Sequence, residues 1–160
     1  MKIKLEDHSD EVLEALESAC QRALEKCGLV GEGYAKKLCP VDTGNLRNSI
    51  THTVSDGEKA AYIGTNSEYA TYVEMGTGVY GPAHTSGYWV YVVGGTSNKS
   101  KHPGKRYTFE EAKRIVAILR KKGLDAHMTD GRKAIPFIKP AVANHAEQYQ
   151  KIIKRELKND

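Results

Sequence analysis

No apolar run in this chain approaches the ~20 residues of a bilayer-spanning helix, so no membrane span is expected. Cysteine is scarce and odd in number, three in 160 residues. Cys-x-x-Cys and His-x-x-x-His pairs are absent, and His8, His52, His84, His102, His127 and His145 are scattered. That argues against a structural zinc site. Cys20 and Cys27, seven apart in a helical pattern, are expected as core side chains in a reducing compartment. The opening Met1-Lys2-Ile3-Lys4-Leu5-Glu6-Asp7 has no apolar stretch behind it, so no secretory signal and an intracellular site of synthesis are expected. No glycine-rich loop fits a phosphate cradle, because Gly76-x-Gly78 lacks its third glycine. Internal repeats and low-complexity tracts are missing as well.

What is present suits one globular domain, 1–160, carrying an insert. A chain of this size buries roughly 68–70% of its unfolded surface and needs no staple. The net charge of +4 hides an asymmetry. Residues 79–133 hold eleven Lys/Arg against four Asp/Glu, a net +7, and the rest of the chain is net −3. Such a basic block can meet nucleic acid or an acidic partner, although a solvated surface is its more ordinary meaning.

Residues 10–38 repeat apolar positions every three or four, at Val12, Leu13, Leu16, Ala19, Cys20, Ala23, Leu24, Cys27, Val30, Tyr34, Ala35 and Leu38. This predicts a long helix with that face inward, capped by Ser9 or Asp10 and stopped by Pro40. Gly28, Gly31 and Gly33 predict a bend or a close approach. Asp42-Thr43-Gly44 reads as a turn in which Asp42 accepts amides just beyond it. Leu46 to Val54 leads into a strand, Asp56-Gly57 turns it, and Lys59 to Thr65 returns. Residues 67–74 read as a short helix with Tyr69, Tyr72 and Val73 on its apolar face, ended by Gly76 and Gly78.

Tyr88 to Val93 is the strongest strand signal, and residues 94–106 read as a long loop. Thr108-Phe109-Glu110-Glu111 is a capping box. It opens a helix whose inward stripe is Phe109, Ala112, Ile115, Val116 and Leu119, closed by Gly123. Lys113, Arg114, Arg120, Lys121 and Lys122 decorate its other face and are candidate nucleic-acid contacts. Leu124 to Met128 reads as a second strand. Residues 79–133 are therefore expected as a basic strand–helix–strand insert. After Ile135, Pro136 holds the chain extended and Pro140 starts one last helix at its first position, amphipathic through Leu157.

Asp42-Thr43-Gly44 is also the tripeptide of aspartic proteases, which share a proton between two carboxylates. A single copy needs a dimer, and Tyr62-Ile63-Gly64 superficially supplies the later segment. The flanking residues do not fit. The Asp follows a helix and a Pro where an apolar strand is required, and helices open and close the chain.

The ordered set Pro40-Val41-Asp42-Thr43-Gly44-x-Leu46-x-x-Ser49-Ile50, Ile63-Gly64-Thr65, Tyr69-Ala70-x-Tyr72-Val73-Glu74-x-Gly76-Thr77 and Pro136-Phe137-Ile138-x-Pro140-Ala141 is more specific than any one piece. It resembles the tail-completion (head–tail joining, tail-terminator-like) family of siphophages and their prophages over residues 1–78 and 134–157. The resemblance implies an α+β fold, with the long N-terminal helix on a small, mostly antiparallel sheet and a C-terminal helix. It implies no catalysis, and no cofactor, metal, small-molecule or membrane partner is expected. The implied partners are further copies of itself in a ring, commonly sixfold, the tail tube protein and the head-side connector protein. The implied place is the virion neck, after synthesis in the host cytoplasm. Pro40, Asp42, Thr43, Gly44, Leu46, Ser49, Glu74, Gly76, Thr77, Pro136, Phe137 and Pro140 are then fold determinants. A ring needs unlike patches to meet, and the aromatic strand with Tyr88, Trp89 and Tyr91 is a candidate for that contact or for the insert's own centre. The other class of function left open is a basic nucleic-acid-binding module centred on residues 99–133.

Overall fold

A computed structural model describes residues 7–94 and 105–158. Most of the loop expected over 94–106, and the basic residues at 99–104, lie outside them. The fold is α+β, with a long N-terminal helix, two small antiparallel sheets and C-terminal helices. The chain forms two compact units, Met1–Glu68 with Pro136–Asp160, and Tyr69–Ile135.

In the first unit, helix α1 (Ser9–Leu38) is followed by a single-turn helix α2 (Asn45–Ser49), the strands β1 (Ile50–Ser55) and β2 (Ala60–Thr65), and helices α5 (Ile138–Ala143) and α6 (Ala146–Glu156). β1 and β2 pair antiparallel from Ile50↔Thr65 to Ser55↔Ala60. The hairpin, α5 and α6 all pack on α1. The α1 residues that are buried are small: Ala19, Ala23, Gly28, Gly31 and Ala35. Small side chains let neighbouring elements come close. A Cβ on Gly28 would lie 2.5 Å from Cδ2 of His52, and one on Gly31 would lie 2.3 Å from Cδ1 of Ile63, whereas Gly33 has nothing within 4 Å. Two of the three glycines thus seat side chains of the hairpin, and the helix runs unbroken to Leu38. Phe137 and Ile50 are the largest fully buried side chains.

Four expectations are corrected here. The α1 cap is His8, whose side chain caps no backbone amide and meets Glu11 at 3.1 Å; it is Asp7 that accepts the Ser9 amide at 2.9 Å. Val12, Leu13, Leu16 and Leu38 belong to the predicted inward face yet are exposed. The stretch from Leu46 makes a helical turn before the strand begins at Ile50. The last helix is two helices, and Pro140 is the third residue of α5. The break falls at Asn144-His145, where the imidazole stacks on Tyr34 with ring centroids 3.4 Å apart.

The second unit holds helix α3 (Ala70–Met75), a 3-10 turn at Gly78–Tyr80, strand β3 (Trp89–Val92), helix α4 (Phe109–Lys121) and strand β4 (Ala126–Thr129). β3 pairs antiparallel with β4 from Trp89↔Thr129 to Val92↔Ala126. α4 packs on both strands, burying Ala112 and Val116 over the fully buried Ala126. The capping box forms as expected. Thr108 Oγ1 accepts the Glu111 amide, while the Glu111 carboxylate accepts the Thr108 amide at 2.9 Å. That bond holds the Glu111 carboxyl below its ordinary value. Phe109 does not join the buried stripe. It is exposed, edge-on to Tyr88 with centroids 5.5 Å apart.

Candidate assembly surfaces

The turn between α1 and α2 is built by its small residues. Gly44 takes φ +85°, and Thr43 Oγ1 accepts the Asn45 amide in a long 3.5 Å bond, the role the sequence assigned to Asp42. Asp42 is exposed and lies between two helices. Leu46 is buried beneath this turn, and Pro40 is half-buried. Ser49 Oγ donates to Leu46 O at 2.8 Å and meets Thr65 Oγ1 at 2.6 Å, tying α2 to the far end of β2. Pro136 is exposed, and Phe137 beside it is 0% exposed.

Gly76 and Thr77 do different work in their own unit. Gly76 ends α3 at φ +79°. The Thr77 amide donates to Arg132 O at 2.9 Å, and its hydroxyl accepts the Arg132 amide at 3.0 Å. The Val79 amide donates to Asp130 O at 3.1 Å, and the Ile135 amide to Val73 O at 2.8 Å. At this crossing a Cβ on Gly78 would sit 1.8 Å from Asp130 O, so only glycine fits. The chain is thereby clamped to itself where it enters and leaves residues 79–133. Glu74, in α3, is half-buried.

The three aromatics proposed for subunit contact divide. Tyr88 exchanges backbone hydrogen bonds with Tyr107 at 2.8 and 2.9 Å. Trp89 is half-buried under the Arg106 guanidinium, 3.8 Å from its ring centroid. Tyr91 is exposed and stacks on His127 at 5.6 Å. Among the described residues no strand pairs with β3 on the edge away from β4 beyond Tyr88. Lys113, Arg114, Arg120, Lys121 and Lys122 are all exposed on α4. Arg120 Nε donates to Ala126 O at 2.9 Å, a tie from helix to strand.

Three features went unread in the sequence. On α3, Ala70 and Val73 face inward, while Tyr69, Tyr72 and Met75 are about half exposed or more, reversing the expectation for the two tyrosines. The small-residue step Ala70-x-x-Val73 was the available signal. On α1, every residue from Asp7 to Ser18 is exposed, including Val12 at 63%, Leu13 at 61% and Leu16 at 50%. The third is a charged lock between α1 and β1. His52 Nδ1 lies 2.5 Å from Glu32, and Nε2 lies 3.2 Å from Glu25. Glu32 also pairs with Lys36 at 2.5 Å. The Glu32 carboxylate raises the His52 pKa, and Lys36, then His52, lower that of Glu32. Glu25, Gly28 and Glu32 recur at helical spacing, so the sequence alone places them on one face of α1.

Among the described residues no cluster of three His, Cys, Asp or Glu forms a metal site, and no helix is long and apolar enough to cross a membrane. Residues 2–76 match the family model described as bacteriophage HK97-gp10, putative tail-component. The matched segment contains α1, α2, the β1–β2 hairpin and α3, and the match bears out the resemblance read in the sequence. No curated protein and no solved structure matches the chain.

Proposed function

Proceeding from a chain whose residues 2–76 match a phage tail-component family, we propose that this protein completes the tail and joins it to the head-side connector as a closed ring. The family match is the observation that carries this reading. Surface features support it. A ring subunit must present two unlike patches that stay uncovered in the free chain. Among the described residues an unpaired edge of β3, the outward aromatic face of α3 and the apolar start of α1 remain open. The tail tube protein contacts one side of the ring and the connector protein the other, and the work at both is structural. Residues 79–133 lie beyond the matched segment. We read them as an insert whose basic, aromatic surface adds contacts specific to this neck.

The test is reconstitution. Phage lacking this gene should accumulate filled heads and separate tails, and adding the purified protein should join them. On tail tubes, six copies of a 17.7 kDa chain add about 106 kDa as a terminal ring visible by electron microscopy. Normal, infectious particles from the deletion phage would refute the proposal.

A further inference from the structure

The first three turns of α1 are exposed throughout. Within its unit the hairpin pairs with α1 at Lys59–Glu17, 3.0 Å, and α6 pairs with it at Lys26–Glu156, 2.5 Å. Ahead of them Val12, Leu13 and Leu16 lie exposed. They occupy the stripe that Ala19 and Ala23 bury one and two turns later, so an inward-facing pattern continues past the end of its own partner. The arm is acidic without relief. Residues 7–18 hold Asp7, Asp10, Glu11, Glu14 and Glu17 and no Lys or Arg.

α6 carries the complement. Ile153 and Leu157, one turn apart, are exposed at 38% and 42%. Lys154 and Lys158 follow on one side of them around the helix and, with Lys151 and Arg155 beyond, line a shallow depression. The one acid there, Glu156, is buried, and its carboxyl is held low by Lys26 and then by Arg155. The arm cannot reach this stripe within its own chain. α6 is fixed to α1 from Lys26 to Tyr34, ten residues or more beyond Leu16, which is about 15 Å or more of straight helix.

We propose that the α1 arm docks on the α6 stripe of a second copy of this chain, its apolar residues on Ile153 and Leu157 and its carboxylates among the lysines. The contact is head-to-tail, so every subunit gives an arm and receives one, as a ring demands. The inference rests on the ring reading and names the surfaces that would close it.

Charge reversal tests it with substitutions confined to exposed residues. Asp10→Lys with Glu14→Lys makes the arm basic, and Lys151→Glu with Lys154→Glu makes the stripe acidic. Association is read by sedimentation at about 50 mM salt, with helicity checked by circular dichroism. Wild type should associate, more weakly as salt rises. Each double variant should need at least about tenfold more protein to associate. An equimolar mixture of the two should recover assembly, because each arm then meets a stripe of opposite charge. Unchanged association of either variant overturns the arm contact and leaves the ring reading standing. A wild-type chain that stays monomeric to millimolar concentration also overturns it, and the ring reading falls with it only if no ring forms on tail tubes. If arm variants lose attachment to tails while the free chain is monomeric, the arm belongs to a different protein and the inference fails.

Discussion

Replacing Gly28 with alanine pits two known effects against each other at one atom. In an open helical site, Gly→Ala stabilises by about 1 kcal/mol through backbone entropy. Gly33, with nothing within 4 Å of a new Cβ, should show that gain in full. At Gly28 the new carbon would lie 2.5 Å from the His52 ring and 3.3 Å from its Cβ. The ring cannot turn aside freely, since Glu32 and Glu25 hold both of its nitrogens. Overpacking of this kind costs about 1–3 kcal/mol. The net change for Gly28→Ala is therefore between neutral and about 2 kcal/mol of destabilisation. In a His52→Ala background the ring is gone and only the Cβ at 3.3 Å remains, so the same substitution should range from neutral to about 1 kcal/mol of stabilisation. Urea unfolding followed by far-ultraviolet circular dichroism gives all four corners of the cycle, provided the slopes agree. A coupling below about 0.5 kcal/mol, or a Gly28→Ala gain equal to that of Gly33→Ala, would refute the idea that His52 occupies the glycine's space.

The same lock predicts a pH profile. The raised His52 pKa means its contribution is complete below the usual value near 6.5 and is lost as pH climbs through the folded value. The lowered Glu32 pKa means its contribution is complete above about 4.5 and is lost as pH falls through the folded value. Stability from this cluster should peak between about pH 4.5 and 6.5, and His52→Gln should flatten the alkaline limb in thermal melts. Parallel profiles for wild type and variant would discard the lock. Phe137→Ala removes a fully buried ring and should cost about 3–5 kcal/mol in chemical unfolding. A loss under 1 kcal/mol would show that Phe137 is not a principal core side chain.

What the sequence made legible is what depends on near neighbours. Residues 9–38 declare a helix by spacing, Asp56-Gly57 declares a hairpin, and Thr108 with Glu111 declares a cap, because each is decided within a few positions. Exposure is different. Periodicity shows that Val12, Leu13 and Leu16 share a face with Ala19 and Ala23, but it carries no information on where the partner ends. The same limit misdirected Tyr69, Tyr72 and Phe109, whose burial depends on which side of a short helix meets the rest of its unit. The interruption at Asn144-His145 was also hidden, and the ring it stacks on there, Tyr34, lies more than a hundred residues away. Of the candidate surfaces, the basic face of α4 could be read directly. The His52 lock could not, because it joins a helix face to a strand that no local signal connects.

The crossing of residues 77–79 with 130–132 fixes the separation at which the chain departs and returns. Whatever lies between those two points is delivered back at the same place, so its length is free to change without disturbing what comes before or after. That makes the stretch a natural splice point. A tag or reporter installed there should leave the family-matched portion folded, and related chains can diverge at this site while keeping a common frame.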